Sequence, residues 1–197
     1  MVMDIWRNVR LAVVTFVLFA VIYSLAVLGI GQLVFPWQAN GSLEVRQGKV
    51  VGSMLIGQKV TSLDLFHGRP SATANPATGK PEPYAANNSG GSNLGPTNKA
   101  LVQEVKANIA AIRPMIGSAR PPANLVESSG SGLDPEITLQ DAMLQVPAIA
   151  RRTGIATSTL RQLVLRDAEG PTIGLYGPWR VNVLRLNLAL QSLINQR

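Results

Sequence analysis

Residues 11–35 read LAVVTFVLFAVIYSLAVLGIGQLVF, a run without one charged side chain. A helix of that length crosses a hydrocarbon core about 30 Å thick, so the sequence predicts a transmembrane helix at 11–35. Trp6 and Trp37 bracket the run. A continuous helix rising 1.5 Å per residue sets them roughly 46 Å apart, close to the span between the two headgroup regions where indoles are favoured. Ser24, Leu25 and Ala26 resemble a cleavage triplet, but the apolar run continues well past them, as in an uncleaved anchor. Arg7 and Arg10 precede the span, and the positive-inside rule then keeps residues 1–10 in the cytoplasm and sends 36–197 to the far side.

The part beyond the span is bounded by what it lacks. The chain of 197 residues has no cysteine and a single histidine, His67, so it offers neither a disulfide framework nor a thiol nucleophile nor the usual Cys and His ligands of structural zinc. No bound metal is expected. The net charge of +7 comes from scattered basic residues with only 5% aromatics, a pattern without the clustered patch that nucleic acid requires. A nucleic-acid partner is therefore not expected, whereas the lipid bilayer is.

Local patterns give a mixed α+β (α/β) domain with long loops, a single extracytoplasmic unit over 36–197. Asn40-Gly41 marks a turn before a short or bulged strand around 50–56, interrupted by Gly52 and Gly57. Residues 67–96 are crowded with Gly, Pro, Ser, Asn and Thr and read as irregular chain. Thr97 or Asn98 should cap a helix whose stripe is Leu101, Val105, Ile109 and Ile112, ending before Pro114. After a second linker, Thr138 and Asp141 form a capping box for a helix carrying Leu139, Ala142, Met143, Val146 and Ile149, which Pro147 should kink or split. Thr157 or Ser158 opens another helix. Residues 172–176 and 180–184 flank Gly-Pro-Trp as a predicted hairpin, and the tail RLNLALQSLINQ reads as a docking helix.

Two Ser/Gly loops, NNSGGSNLGPTN at 87–98 and SSGSGLDP at 128–135, sit where a phosphate loop or a nucleophile turn would sit. A P-loop needs a lysine that the first loop lacks, and a nucleophile elbow needs glycine where the second has Ser129. Ser89, Gly90, Gly91 and Ser92 are the residues that would touch a nucleotide if any did. The chemical alternative is a membrane-anchored exported serine hydrolase, built from Ser131, His67 and Asp134 or using Ser89. The structural reading makes both loops turns, with Ser and Asn bonding to backbone and Gly supplying positive φ. Arg69, beside Pro70, either organises its own loop or pairs with a partner's carboxylate.

ANGSL with KVVGSMLIGQ, FHGRPSA, SGGSNLGPTN, SGSGLDPEI and RVNVLRLNLAL follow one span in that order. Taken together they resemble the KdpC family, the C subunits of Kdp-type potassium-transporting P-type ATPases, over nearly the whole chain. The stretch ATANPATGKPEP before Tyr84 and the GLYG before Pro178 depart from the family pattern. The resemblance implies a non-catalytic accessory subunit of an ATP-driven high-affinity potassium importer in a bacterial plasma (inner) membrane. It implies two partners, a channel-like potassium-binding subunit and a P-type ATP-hydrolysing subunit. It also implies a role in stabilising assembly and in raising the hydrolytic subunit's ATP affinity, as a catalytic chaperone. No cofactor is expected to be held firmly by this chain, ATP being reached through the hydrolytic partner. Gly29, Gly31, His67, Arg69, Ser131 and Asp134 are the candidate partner contacts.

Overall fold

The computed structural model describes residues 2–196. The chain divides into two compact units, Met1–Leu43 and Glu44–Arg197. In the first, α1 (Val2–Phe16) passes into a π-helical segment (Val17–Tyr23) and then α2 (Ser24–Val34). The stretch Ile5–Val34 is long and apolar enough to cross a membrane. Its Leu, Val, Ile and Phe side chains point outward all round, with none buried in the π segment or α2, as expected where lipid rather than protein is the solvent. Phe35 leaves helical geometry at φ −131°, and Pro36 opens the one-turn α3 (Pro36–Ala39). Proline suits that first position because its missing N–H has no intrahelical partner there. The indole of Trp37 donates to the Leu43 carbonyl at 3.1 Å, tying down the chain that leaves α3.

The second unit is mixed helix and sheet. A two-stranded hairpin, β1 (Leu43–Arg46) and β2 (Lys49–Ser53), stands at its start; the strand anticipated at 50–56 ends at Ser53, and β1 lies outside the anticipated strand although Leu43-Glu44-Val45-Arg46 alternates apolar and charged residues. Residues 54–98 contribute turns and one isolated bridge, Ala74 to Pro81. Asn98 caps α4 (Lys99–Ile116), accepting from Ala100 N at 2.8 Å. The helix does not stop before Pro114. That residue falls in the last turn, where the buried Met115 and Ile116 hold the chain on course.

A 3-10 turn (Ala123–Leu125) leads to β3 (Glu136–Thr138) and α5 (Leu139–Thr153), whose capping box is present as read, with Asp141 N donating to Thr138 Oγ1 at 3.1 Å. Pro147 neither splits nor ends α5. Its neighbours Val146, Ala148 and Ile149 are all buried, and their burial, about 1.5–3 kcal/mol for each large side chain, offsets a single missing donor. Next come α6 (Thr157–Asp167), β4 (Ala168–Glu169), β5 (Arg180–Asn182) and α7 (Val183–Asn195). The small sheet runs β3-β5-β4, antiparallel, with Ile137 opposite Val181 and Ala168 opposite Val181. The hairpin foreseen between 172–176 and 180–184 is instead β4 and β5 joined by a tight apolar loop. Asn182 ends β5 by capping α7, its side chain accepting from Arg185 N at 3.1 Å. Phe66, Met115, Val146, Ile149, Leu160, Val164, Val181, Leu186 and Leu190 form the centre of the core.

Candidate functional site: three loops locked to one another

Three loops meet: the segment from Phe66 to Tyr84, the SGG turn at 89–91 and the SGSGLD turn at 129–134. Two buried amides hold the first of them. Asn187 on α7 accepts from Phe66 N at 2.8 Å and donates to Phe66 O at 2.9 Å. Gln145 on α5 does the same for His67, at 2.8 and 3.0 Å. Each side-chain amide copies the donor-acceptor pair of a peptide, so two helices pair with this strand-like dipeptide as a neighbouring strand would. Phe66 is thereby driven into the core.

Beyond the clamp, Arg69 donates to Asp134 Oδ2 at 3.3 Å and to Ser128 O at 3.4 Å, while Tyr84 Oη donates to the Arg69 carbonyl at 2.7 Å. Asp134 Oδ1 accepts from Glu136 N at 3.0 Å, which orients the carboxylate and starts β3. Arg69 thus organises loops within its own domain. The two Ser/Gly turns touch directly, through Gly90 N to Ser131 O at 2.8 Å and Ser89 Oγ to the same carbonyl at 3.1 Å. Gly132 has φ +65°, and a Cβ there would lie 2.6 Å from Gly90 O. Both facts demand glycine. Gly57 is pinned in the same way, its N–H on Leu133 O at 2.7 Å.

These bonds occupy the groups on which the chemical readings depend. Ser131 Oγ receives Leu133 N at 3.1 Å and lies 3.3 Å from Ser129 Oγ. His67 Nε2 meets Ser62 O at 3.1 Å, and Asp134 is held by Arg69. The three members of the hydrolase constellation therefore each serve a different local contact, and no base is aimed at Ser131. Burial pushes the His67 imidazole below its ordinary 6.5, against a smaller upward pull from the Ser62 carbonyl. Burial also raises the Tyr84 phenol, which stays neutral. In the SGG turn, the Gly90 N–H and the Ser89 hydroxyl that a phosphate would need are already spent on Ser131 O. Ser92 lines a cavity of about 600 Å³ whose walls carry one cation and one carboxylate, Lys59 and Glu104, beside Ser71 and Tyr84. Among the described residues, no three His, Asp or Glu side chains converge as metal ligands.

Gly29 and Gly31 lie in the other unit, on α2. A Cβ at Gly29 would touch nothing within 4 Å, so the helix surface is bare there. Sequence reasoning passed over Gln145 and Asn187. Their signal was an amide set inside an apolar stripe, at Met143-Leu144-Gln145-Val146 and Leu186-Asn187-Leu188.

One apolar helix long enough to cross a membrane among the described residues, followed by an α+β unit whose loops are held by side-chain to backbone bonds, defines a membrane protein with an appended domain. The family model KdpC, the K+-transporting ATPase c chain, matches residues 5–192, and the chain belongs to that family. It is 51% identical to the potassium-transporting ATPase KdpC subunit of Methylobacterium nodulans, over 87% of this chain and 88% of that one. The KdpC subunit of Rhodopseudomonas palustris strain TIE-1 is 46% identical, over 94% and 97%, and that of Methylorubrum populi 49%, over 87% and 88%.

Proposed function

We propose that this chain is the non-catalytic accessory subunit of an ATP-driven, high-affinity potassium importer. The observation that carries the reading is the family match over residues 5–192, with relatives named as subunits of a potassium-transporting ATPase aligned nearly end to end. The geometry supports it, because the candidate nucleophiles and donors are consumed in holding the loops together. The protein sits in a bacterial plasma membrane with residues 1–10 in the cytoplasm, on the strength of Arg7 and Arg10. Its domain lies outside, holds no cofactor of its own, and leaves ATP to the hydrolytic subunit.

The span packs on the channel-like subunit, where Gly29 and Gly31 allow close helix approach, and the loop face around Arg69, His67, Ser131 and Asp134 covers that subunit's outer mouth. From there its effect on ATP affinity is indirect. If the domain tightens ATP binding by some factor, ATP tightens the domain's attachment by the same factor. Purification in mild detergent should bring both neighbours down with this chain, and its deletion should lower potassium-dependent ATPase activity and raise the KM for ATP. A chain that purifies alone, with ATPase activity indifferent to its loss, overturns the reading.

A further inference from the structure

The loop between β4 and β5 reads PTIGLYGPW at 171–179 and carries no charge. It hides none of its large side chains. Ile173 is 80% exposed, Leu175 77%, Tyr176 68% and Trp179 53%. Disorder does not explain this, because the loop is tightly built. Thr172 and Tyr176 exchange backbone bonds at 2.8 and 3.1 Å, Gly174 N donates to Pro171 O at 2.9 Å, and the Trp179 ring lies 3.5–3.7 Å from where a Gly170 Cβ would stand. Ile173 has φ +49°, a conformation that a β-branched residue rarely accepts. At the base, Arg180 holds Glu136 at 3.0 Å and Glu169 at 3.5 Å and donates to Gly170 O at 3.1 Å. Arg185 holds Glu169 as well. The carboxylates nearest the tip are thus neutralised.

We infer that this loop is a second membrane contact, dipping Ile173, Leu175, Tyr176 and Trp179 into the boundary between lipid headgroups and acyl chains. Three observations select lipid over a protein groove. The tip is a narrow loop that exposes apolar side chains at four of its positions, so a yielding medium covers it where a rigid partner would need a fitted socket. It pairs aliphatic residues with Tyr and Trp, the composition of interfacial anchors. The chain already carries a helix fit to span a bilayer, so the loop belongs to a molecule held at a membrane, and linkage of that kind strengthens even a weak second contact.

The test uses the full-length chain in vesicles of equal parts phosphatidylethanolamine and phosphatidylglycerol. The chain has no cysteine, so Leu175→Cys accepts one nitroxide. Collision with oxygen should exceed collision with a water-soluble nickel chelate several-fold at position 175, and the ratio should reverse at Val102→Cys on α4, an exposed apolar control. Adding Ile173→Asp should return the position-175 ratio to the control value. Equal, water-like ratios at 175 and 102 overturn the inference. In cells holding the assembled complex, a photoreactive residue replacing Tyr176 should label lipid. An adduct to another polypeptide, or no lipid adduct, overturns it too.

Discussion

The two units of this molecule use the same side chains in opposite senses. Val21, Leu25, Leu28 and Phe19 stand exposed around the first, whereas Leu160, Val164, Val181 and Leu186 in the second have no accessible surface. Each unit satisfies its own solvent. The span hides its peptide groups inside a helix and shows lipid its apolar side chains; the domain turns its apolar side chains inward and shows water its loops. The difference predicts that one substitution should have unlike consequences in the two places.

The largest expected effect is in the domain. Leu186→Ala empties a fully buried site and should cost about 2–5 kcal/mol, read as a lower urea midpoint for the full-length protein in detergent. The same truncation at Leu28, facing lipid, should leave that transition where it is. Equal responses at the two sites would break the contrast. A charge inverts the ranking. Val21→Arg, at mid-span, should cost about 2.5–3.5 kcal/mol of membrane insertion, whereas Val45→Arg on the exposed face of β1 should be tolerated. A normal membrane yield of Val21→Arg would remove the span from the bilayer.

A smaller effect separates the loops from the core that carries them. Gln145→Leu is nearly isosteric and apolar, yet it strips His67 N–H and C=O of their partners, and an unsatisfied buried peptide group costs about 1–3 kcal/mol. Asn187→Leu should do the same at Phe66. Because the two amides grip adjacent residues, the double variant should lose less than the sum of the singles. Additive losses in a double-mutant cycle would show that Phe66 and His67 are held independently.

How far the sequence could be read follows from the range of the contacts. The apolar helix, the Asn98 cap, the Thr138 and Asp141 capping box and the tail helix rest on neighbours within a turn and are all present, although the helix expected over 11–35 runs from Val2 to Val34. Family membership was legible as well, in the ordered motifs from ANGSL to RVNVLRLNLAL. Pro114 and Pro147 misled because local breakers were weighed without the burial on either side of them. The expected 172–176 strand failed because positive φ at Ile173, Gly174 and Gly177 curls the chain, and no propensity flags that for isoleucine. The loop face was hidden for a different reason. Its bonds join Ser89 to Ser131, Arg69 to Asp134, His67 to Gln145 and Phe66 to Asn187, residues separated by 42, 65, 78 and 121 positions. No local window contains them.

The smallest effect tests whether His67 is part of that locked face or only a bystander. Burial favours its neutral form, so its folded pKa lies below 6.5. Above 6.5 neither state takes up a proton at this site, and its contribution to stability is fully present. As the pH falls below that value the unfolded chain binds the proton first, so stability declines until the folded pKa is passed and then levels. Titrating the urea midpoint between about pH 7.5 and pH 5 should therefore show an acid-side loss that His67→Gln flattens. The Gln145 clamp grips only the backbone of residue 67 and survives that substitution, so a change in slope without a collapse at neutral pH isolates the ring. An unchanged slope would mean that the imidazole is as well solvated in the folded loop as in the unfolded chain.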